Sequence, residues 1–264
     1  MAAFFSARID ETGTDGRSPY VIVAGGVSVP TEWDKLESAW NRLLASRRVT
    51  AFHWKQFAAH DGEFAGWSSL KRKNFVQAIE RIIRKTVVFQ FAIAVDRAVH
   101  TAIKKEWRGV RGFKADSDYG LGFRVARFLV CDKLVRLASA SSKVQFIVES
   151  GPFAADAGVI YESIRRTKGS KYRPAMYAEM LVGFAHKPKG ELRSLEAADY
   201  LAGRAMSDLR DGIFLSSLRK QQISAFLDRE FLLAWSEDMV EEREKRLAYG
   251  KRQPSAEAHS EDSV

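Results

Sequence analysis

The chain has 264 residues, 46% hydrophobic and 28% charged, which is ordinary for a soluble globular protein and enough to bury a sizeable core. No apolar run is long enough to span a bilayer, and Met1 to Asp10 lacks a signal-peptide layout, so no membrane partner is expected. The net charge of +9 suits a polyanionic partner such as RNA or DNA, although solvated helix faces also carry such charge.

In chain order, "AFFSARID" reads as a strand ending at Asp10 and "ETGTDGRSP" as a turn-rich connection. "YVIVAGGVSV" is a nearly continuous apolar strand, so the two strands form a hairpin. Pro30 and Thr31 open a helix whose Trp33, Leu36, Trp40, Leu43 and Leu44 share one face. "FHWKQFAAHDGEFAGW" has many aromatics and little periodicity, and reads as irregular. A basic amphipathic helix follows over about Ser68 to Lys85, then the β-branched strand "TVVFQFAIAV", a short helix and the loop "GVRGFKADSDYG". The longest helix is expected from Leu121 to Ala138. It holds the only cysteine, Cys131, which excludes an intrachain disulfide and points to a core position in a protein of the reducing cytoplasm.

"KVQFIVES" is the next strand, ending at Glu149. A helix near Asp156 to Arg166, a strand "AEMLVGFAH" and a small-residue helix "SLEAADYLAGRAMSDL" come after it. Helices are expected on to about Tyr249. This order predicts one α/β domain over 1–250, with a mixed central sheet of about five strands flanked by helices and extra C-terminal helices, and a disordered polar tail over 251–264.

Positive charge is concentrated. From Lys71 to Lys114 there are twelve Lys or Arg against three acids, an excess equal to the net charge of the whole chain. Lys104, Lys105, Arg108 and Arg111 belong to that stretch, and Arg165 to Arg173 forms a second acid-free cluster. Such clusters fit a phosphate backbone. Lys55 and Lys187 are further phosphate-binding candidates, with plain surface lysine as the alternative.

Three acids stand out by placement. Asp10 and Glu149 each end an apolar strand, and Asp199 lies on a helix whose Ala197, Ala198, Ala202, Gly203 and Ala205 allow close approach to a sheet. Two strand ends and one helix can bring three carboxylates to one spot. Packed carboxylates resist ionising unless a cation joins them. Mg²⁺ or Mn²⁺ would fill that role and activate water against a phosphodiester. Each acid also has a simpler reading. Asp10 caps a turn, Glu149 opens the loop "SGPF", and Asp199 pairs with Arg193 or Arg204. No zinc spacing, P-loop, GxSxG or GxGxxG is present.

"IDETG" followed by "YVIVAGGV", then "FHWKQF" with "GEFAGW", and finally "LEAADYLAG" together resemble the domain-of-unknown-function family 3800, in order and spacing up to about Met206. The resemblance implies a ribonuclease H-like fold and a metal-dependent nuclease site. It implies metal-ligand roles for Asp10 and Asp199, with Glu149 as the strand-four acid, and a site role for His53. A buried core histidine is the competing reading of His53. Where the family often carries an acid three residues after that histidine, this chain has Gln56. Glu11, Glu63 or Glu196 are the acids that would substitute, Glu196 lying three residues before Asp199 on one helix face. The expected activity is a divalent-metal-dependent nuclease. The rival expectations are a non-catalytic nucleic-acid-binding module and action on a small phosphorylated substrate.

Overall fold

The computed structural model describes residues 2–110, 116–165, 175–213 and 222–227. In chain order the elements are β1 (Phe4–Thr12), β2 (Tyr20–Ser28), α1 (Pro30–Arg47), α2 (Trp54–Ala59), α3 (Ser69–Thr86), β3 (Phe89–Asp96) and α4 (Arg97–Glu106). There follow α5 (Asp118–Leu137), β4 (Lys143–Glu149), α6 (Ala154–Arg165), α7 (Ala175–Met180), β5 (Leu181–Lys187), α8 (Arg193–Arg210) and β6 (Gln222–Leu227). Short 3-10 turns at Gly62–Phe64 and Lys189–Glu191 precede α3 and α8.

The strands form one six-stranded sheet in the order β5-β4-β1-β2-β3-β6. β2 runs antiparallel to β1 and β3, while β1, β4 and β5 are mutually parallel. The first five strands are therefore the mixed, helix-flanked sheet of about five strands that the order of elements predicts. β6 adds a sixth, parallel to β3, in a region expected to be helical. That segment, "QISAFL", pairs beside the apolar β3, and the edge of an existing sheet outweighs a weak helical pattern. Residues 228–264, and with them the expected C-terminal helices and tail, lie outside the described residues.

Alternation along β2 and β3 gives the sheet two apolar faces. Ile22, Ala24, Ala92 and Ala94 meet Ala202, Ala205 and Met206 of α8. Val23 and Val95 face the other way, against Gly122 of α5. The small residues of α8 are thus what the sequence implied, a helix that can lie close on a sheet.

Three local expectations are corrected. β1 continues through Asp10 and Glu11 to Thr12, because the hairpin ladder runs on to the Thr12–Ile22 pair. "AEMLVGFAH" is divided, its first three residues closing α7 before β5 begins at Leu181. The longest helix begins at Asp118, where the Ser117 hydroxyl accepts from Gly120 N. Cys131 is buried on that helix, and burial pushes its thiol up to about 11, as suits an inert core residue.

The irregular aromatic stretch is α2, closed by His60 in left-handed conformation, and a 3-10 turn that begins at left-handed Gly62. Its aromatics are core. Phe52 lies 5.7–6.1 Å from Phe57, Phe64, Phe75, Trp40 and Tyr200, joining α1, α2, α3 and α8 in one cluster. Periodicity is weak there because short segments wrap around a shared centre.

The chain divides into two compact units, one of Met1–Arg97 with Asp116–Leu227 and one of Ala98–Ala115 with Asp228–Val264. In the second, the described part is most of α4 and the turn to Val110, with His100 and Ile103 buried. No described helix is long and apolar enough to cross a membrane.

Candidate metal centre

Asp10 projects from β1 on the side of the sheet that carries α8, opposite Ala24. One step beyond the Ile9–Val148 pair, Glu149 stands beside it at the end of β4. Asp199 comes from α8, one turn before Gly203. The three carboxylates converge on a single cation, the Lys189 ammonium. Lys189 Nζ lies 3.3 Å from Asp10 Oδ2, 2.9 Å from Glu149 Oε2 and 3.3 Å from Asp199 Oδ2.

The convergence is built deliberately by backbone contacts. Trp54 N donates to Asp199 Oδ2 at 2.9 Å, and Glu11 N donates to Asp10 Oδ1 at 2.8 Å. Gly203 makes the first contact possible, since a Cβ there would stand 2.0 Å from the Trp54 indole. We predict that Gly203→Ala destabilises the fold by about 1–3 kcal/mol through overpacking and loosens Asp199. Denaturant unfolding with and without Mn²⁺ checks this. A variant as stable as wild type, with the same metal response, would mean Trp54 moves without consequence.

The electrostatics are those of crowded acids in a buried place. Asp10 is 3% exposed. Its carboxyl is pushed well above the usual range, first by burial and then by Asp199, with Lys189 opposing. Burial likewise raises Asp199, while Lys189 and the Trp54 N–H hold it back. Lys189 is raised on balance: burial alone would lower it, but Asp10, Asp199 and Glu149 outweigh burial.

Glu11 turns to the opposite face, across from Val23. Burial, then Glu149, raise its carboxyl to about 7. The folded state therefore holds a proton that the unfolded chain releases above about pH 4.5. This contribution to stability is full below pH 4.5 and is lost as pH rises through 7. Metal-free Glu11→Gln should be on the order of 1–3 kcal/mol more stable than wild type at pH 8 and equal to it below pH 4. Equal stability at both pH values, by urea unfolding, would place Glu11 in contact with solvent.

Other sequence candidates lie elsewhere. Glu196 is fully buried on the α1 side of α8, and both of its oxygens are engaged. Oε2 accepts from Trp40 Nε1 and Phe52 N, each at 2.9 Å, and Oε1 pairs with Arg193. It is corrected from metal ligand to structural clamp. Glu63 accepts from Thr50 N and Thr50 Oγ1 at 2.9 and 3.0 Å and holds a loop. Exposed Gln56 lies over Gly62, with its Oε1 3.2 Å from where a Cβ would be. His53 is half-buried at the N-terminus of α2, and the next residue supplies the N–H that holds Asp199. Arg193 and Arg204, the alternative partners for Asp199, pair with Glu196 and Asp208 instead.

Among the basic candidates, Lys187 pairs with Glu191 and Lys55 is exposed. Lys104, Lys105 and Arg108 belong to the second unit, and Arg111 and 166–173 lie outside the described residues. On α3, Lys71 covers the Trp67 ring at 3.8 Å and Arg72 the Phe57 ring at 4.2 Å. Those two cations therefore cover core aromatics, while Lys73, Arg81, Arg84 and Lys85 are exposed. Lys189 is the site residue that sequence reasoning missed. In "HKPKGEL" nothing in spacing separates it from Lys187; only the turn after Pro188 does.

A divalent ion is tested against these residues by the donors themselves. Three carboxylate oxygens meet at one cation, and Asp10 Oδ2 accepts no hydrogen bond although buried. Hard oxygen donors of this kind fit Mg²⁺ or Mn²⁺. As arranged around the ammonium, no group of three or more His, Cys, Asp or Glu among the described residues is set to hold a metal. The oxygens stand about 1 Å farther from the central atom than the roughly 2.1 Å that Mg²⁺ demands. The set fits the ion in chemistry and needs the lysine out of the centre to fit it in distance.

No protein-family model matches this sequence, and no curated protein matches it. Among solved structures the chain is similar to one described as "Structure of the PCNA:RNase HII complex from Archaeoglobus fulgidus". The identity is 14% and the TM-score 0.39, with 98% of each chain covered.

Proposed function

We propose that this protein is a divalent-metal-dependent phosphodiesterase that hydrolyses a nucleic-acid backbone. The observation that carries the reading is the convergence of Asp10, Glu149 and Asp199 on one cation, from three separate elements. The excess of base in the chain supports it.

Asp10, Glu149 and Asp199 would hold Mg²⁺ or Mn²⁺. The chemistry supplied at these residues with a divalent ion bound would be a water of lowered pKa and charge neutralisation at the leaving oxygen. The chain's own residues do the rest. The Trp54 N–H fixes the Asp199 carboxylate, and the Glu11 N–H fixes that of Asp10. Lys104, Lys105, Arg108 and Arg111 are assigned to the phosphate backbone, giving affinity without sequence choice.

The test is cleavage of fluorescent RNA, DNA and hybrid duplexes with Mg²⁺ or Mn²⁺ and with EDTA. Cleavage only with metal supports the reading. Binding without cleavage in any metal would favour the non-catalytic module, for which the lysine at the carboxylate centre is the favouring observation. The basic track is tested separately, with catalytically dead Asp199→Asn. Affinity should fall steeply with salt, with a log–log slope near −0.9 per phosphate contact on duplex DNA. Arg108→Ala or Lys105→Ala should make that slope shallower by roughly one unit. A flat salt response would return these residues to solvated helix surface.

A further inference from the structure

We propose that Lys189 is a built-in competitor for the metal: its ammonium holds the three carboxylates together without an ion and is displaced when the ion enters. The inference rests on the metal-site reading and assigns Lys189 as a positioning residue.

The geometry points this way. Lys189 Nζ contacts one oxygen of each carboxylate at 2.9–3.3 Å. A divalent ion bound by those same oxygens would sit inside that shell. Two cations cannot share so small a space, because volume and like charge both forbid it. Without either cation, Asp10, fully enclosed and with an oxygen that accepts no hydrogen bond, would face Asp199 and Glu149 uncompensated. The lysine therefore stabilises the metal-free fold and at the same time weakens metal binding. The lysine-free arrangement is the binding-competent one, and apparent affinity falls with its population.

The position of Lys189 suits an exchange. It belongs to a three-residue 3-10 turn between β5 and α8, opened by Pro188. Its side chain is 16% exposed, so a path to solvent exists. Lys187, two residues earlier, is already paired with Glu191, and it is the natural control because it carries the same charge outside the centre.

Mn²⁺ binding is measured on wild type, Lys189→Met and Lys187→Met by calorimetry and by the paramagnetic resonance of free Mn²⁺. Lys189→Met should bind Mn²⁺ roughly tenfold or more tightly than wild type. It should melt lower without metal and gain more on adding it. Lys187→Met should stay within about twofold of wild type, since its exposed charge is already paired with Glu191 and screened by solvent. If wild type and Lys189→Met bind Mn²⁺ equally, the competition is overturned and the metal site stands. Equal gains in both lysine variants would reduce the effect to general charge and overturn it too. If neither wild type nor Lys189→Met binds Mn²⁺, the metal-site reading falls and the inference with it. Should Lys189→Met not fold, amine labelling of wild type keeps the question open to decision. Mn²⁺ should raise the labelling rate of Lys189 several-fold, and an unchanged rate overturns the proposal.

Discussion

Asp199→Asn is expected to lower metal-dependent cleavage on the order of a hundredfold or more while the protein stays folded. The substitution keeps the size of the side chain, and the amide oxygen can still accept from Trp54 N. What it removes is one of the three charges that meet at Lys189 Nζ. The metal-free melting point should move by only about 2–4 °C, because one crowded, raised carboxylate and one ion pair disappear together. Asp10→Asn should behave alike, with its Oδ1 still accepting from Glu11 N. Cleavage at the wild-type rate in matched metal would remove Asp199 from the ligand set. Loss of the folded transition would make its role structural.

Glu196→Ala is the complementary case, with a large effect on stability and none that depends on metal chemistry. Truncation leaves Trp40 Nε1–H and Phe52 N–H buried without an acceptor and removes the carboxylate partner of Arg193, which keeps its bond to Asn41 Oδ1. Breaking a buried charged network by removing one member costs about 3–5 kcal/mol. Glu196→Gln keeps one acceptor for the two N–H groups and should cost less, since only the pairing with Arg193 is lost. Urea unfolding of both variants in EDTA separates the two readings of this residue. A cost that appears only when metal is present would return Glu196 to the metal site.

Both variants sit on α8, three residues apart, and they show how far the sequence could be read. The small residues around Asp199 announced a helix lying close on a sheet, and the helix does so. Spacing alone put Glu196 on roughly the same face as Asp199. It could not say that Trp40 of α1 and the backbone of Phe52 would reach Glu196 first, because those partners are more than 140 positions away.

Asp10 was legible because it is an acid at the polar end of a strand that opens with aromatics and leads into a turn-rich connection. The assumption that the strand stops there was wrong, as β2 offers pairing partners out to Thr12. β6 was illegible for a related reason, since an edge strand is defined by the strand it joins more than by its own residues. Lys189 left no trace in pattern. Its place follows from the turn at Pro188 and from three carboxylates that only the folded sheet and α8 bring together.

The most direct test of the metal centre is a crystal of this protein soaked in Mn²⁺ and measured for anomalous scattering. A peak bonded at about 2.2 Å to Asp10, Glu149 and Asp199, with the Lys189 ammonium out of the centre, is the predicted result. Crystals at saturating Mn²⁺ with no peak there, and Lys189 still bridging the three carboxylates, would contradict it.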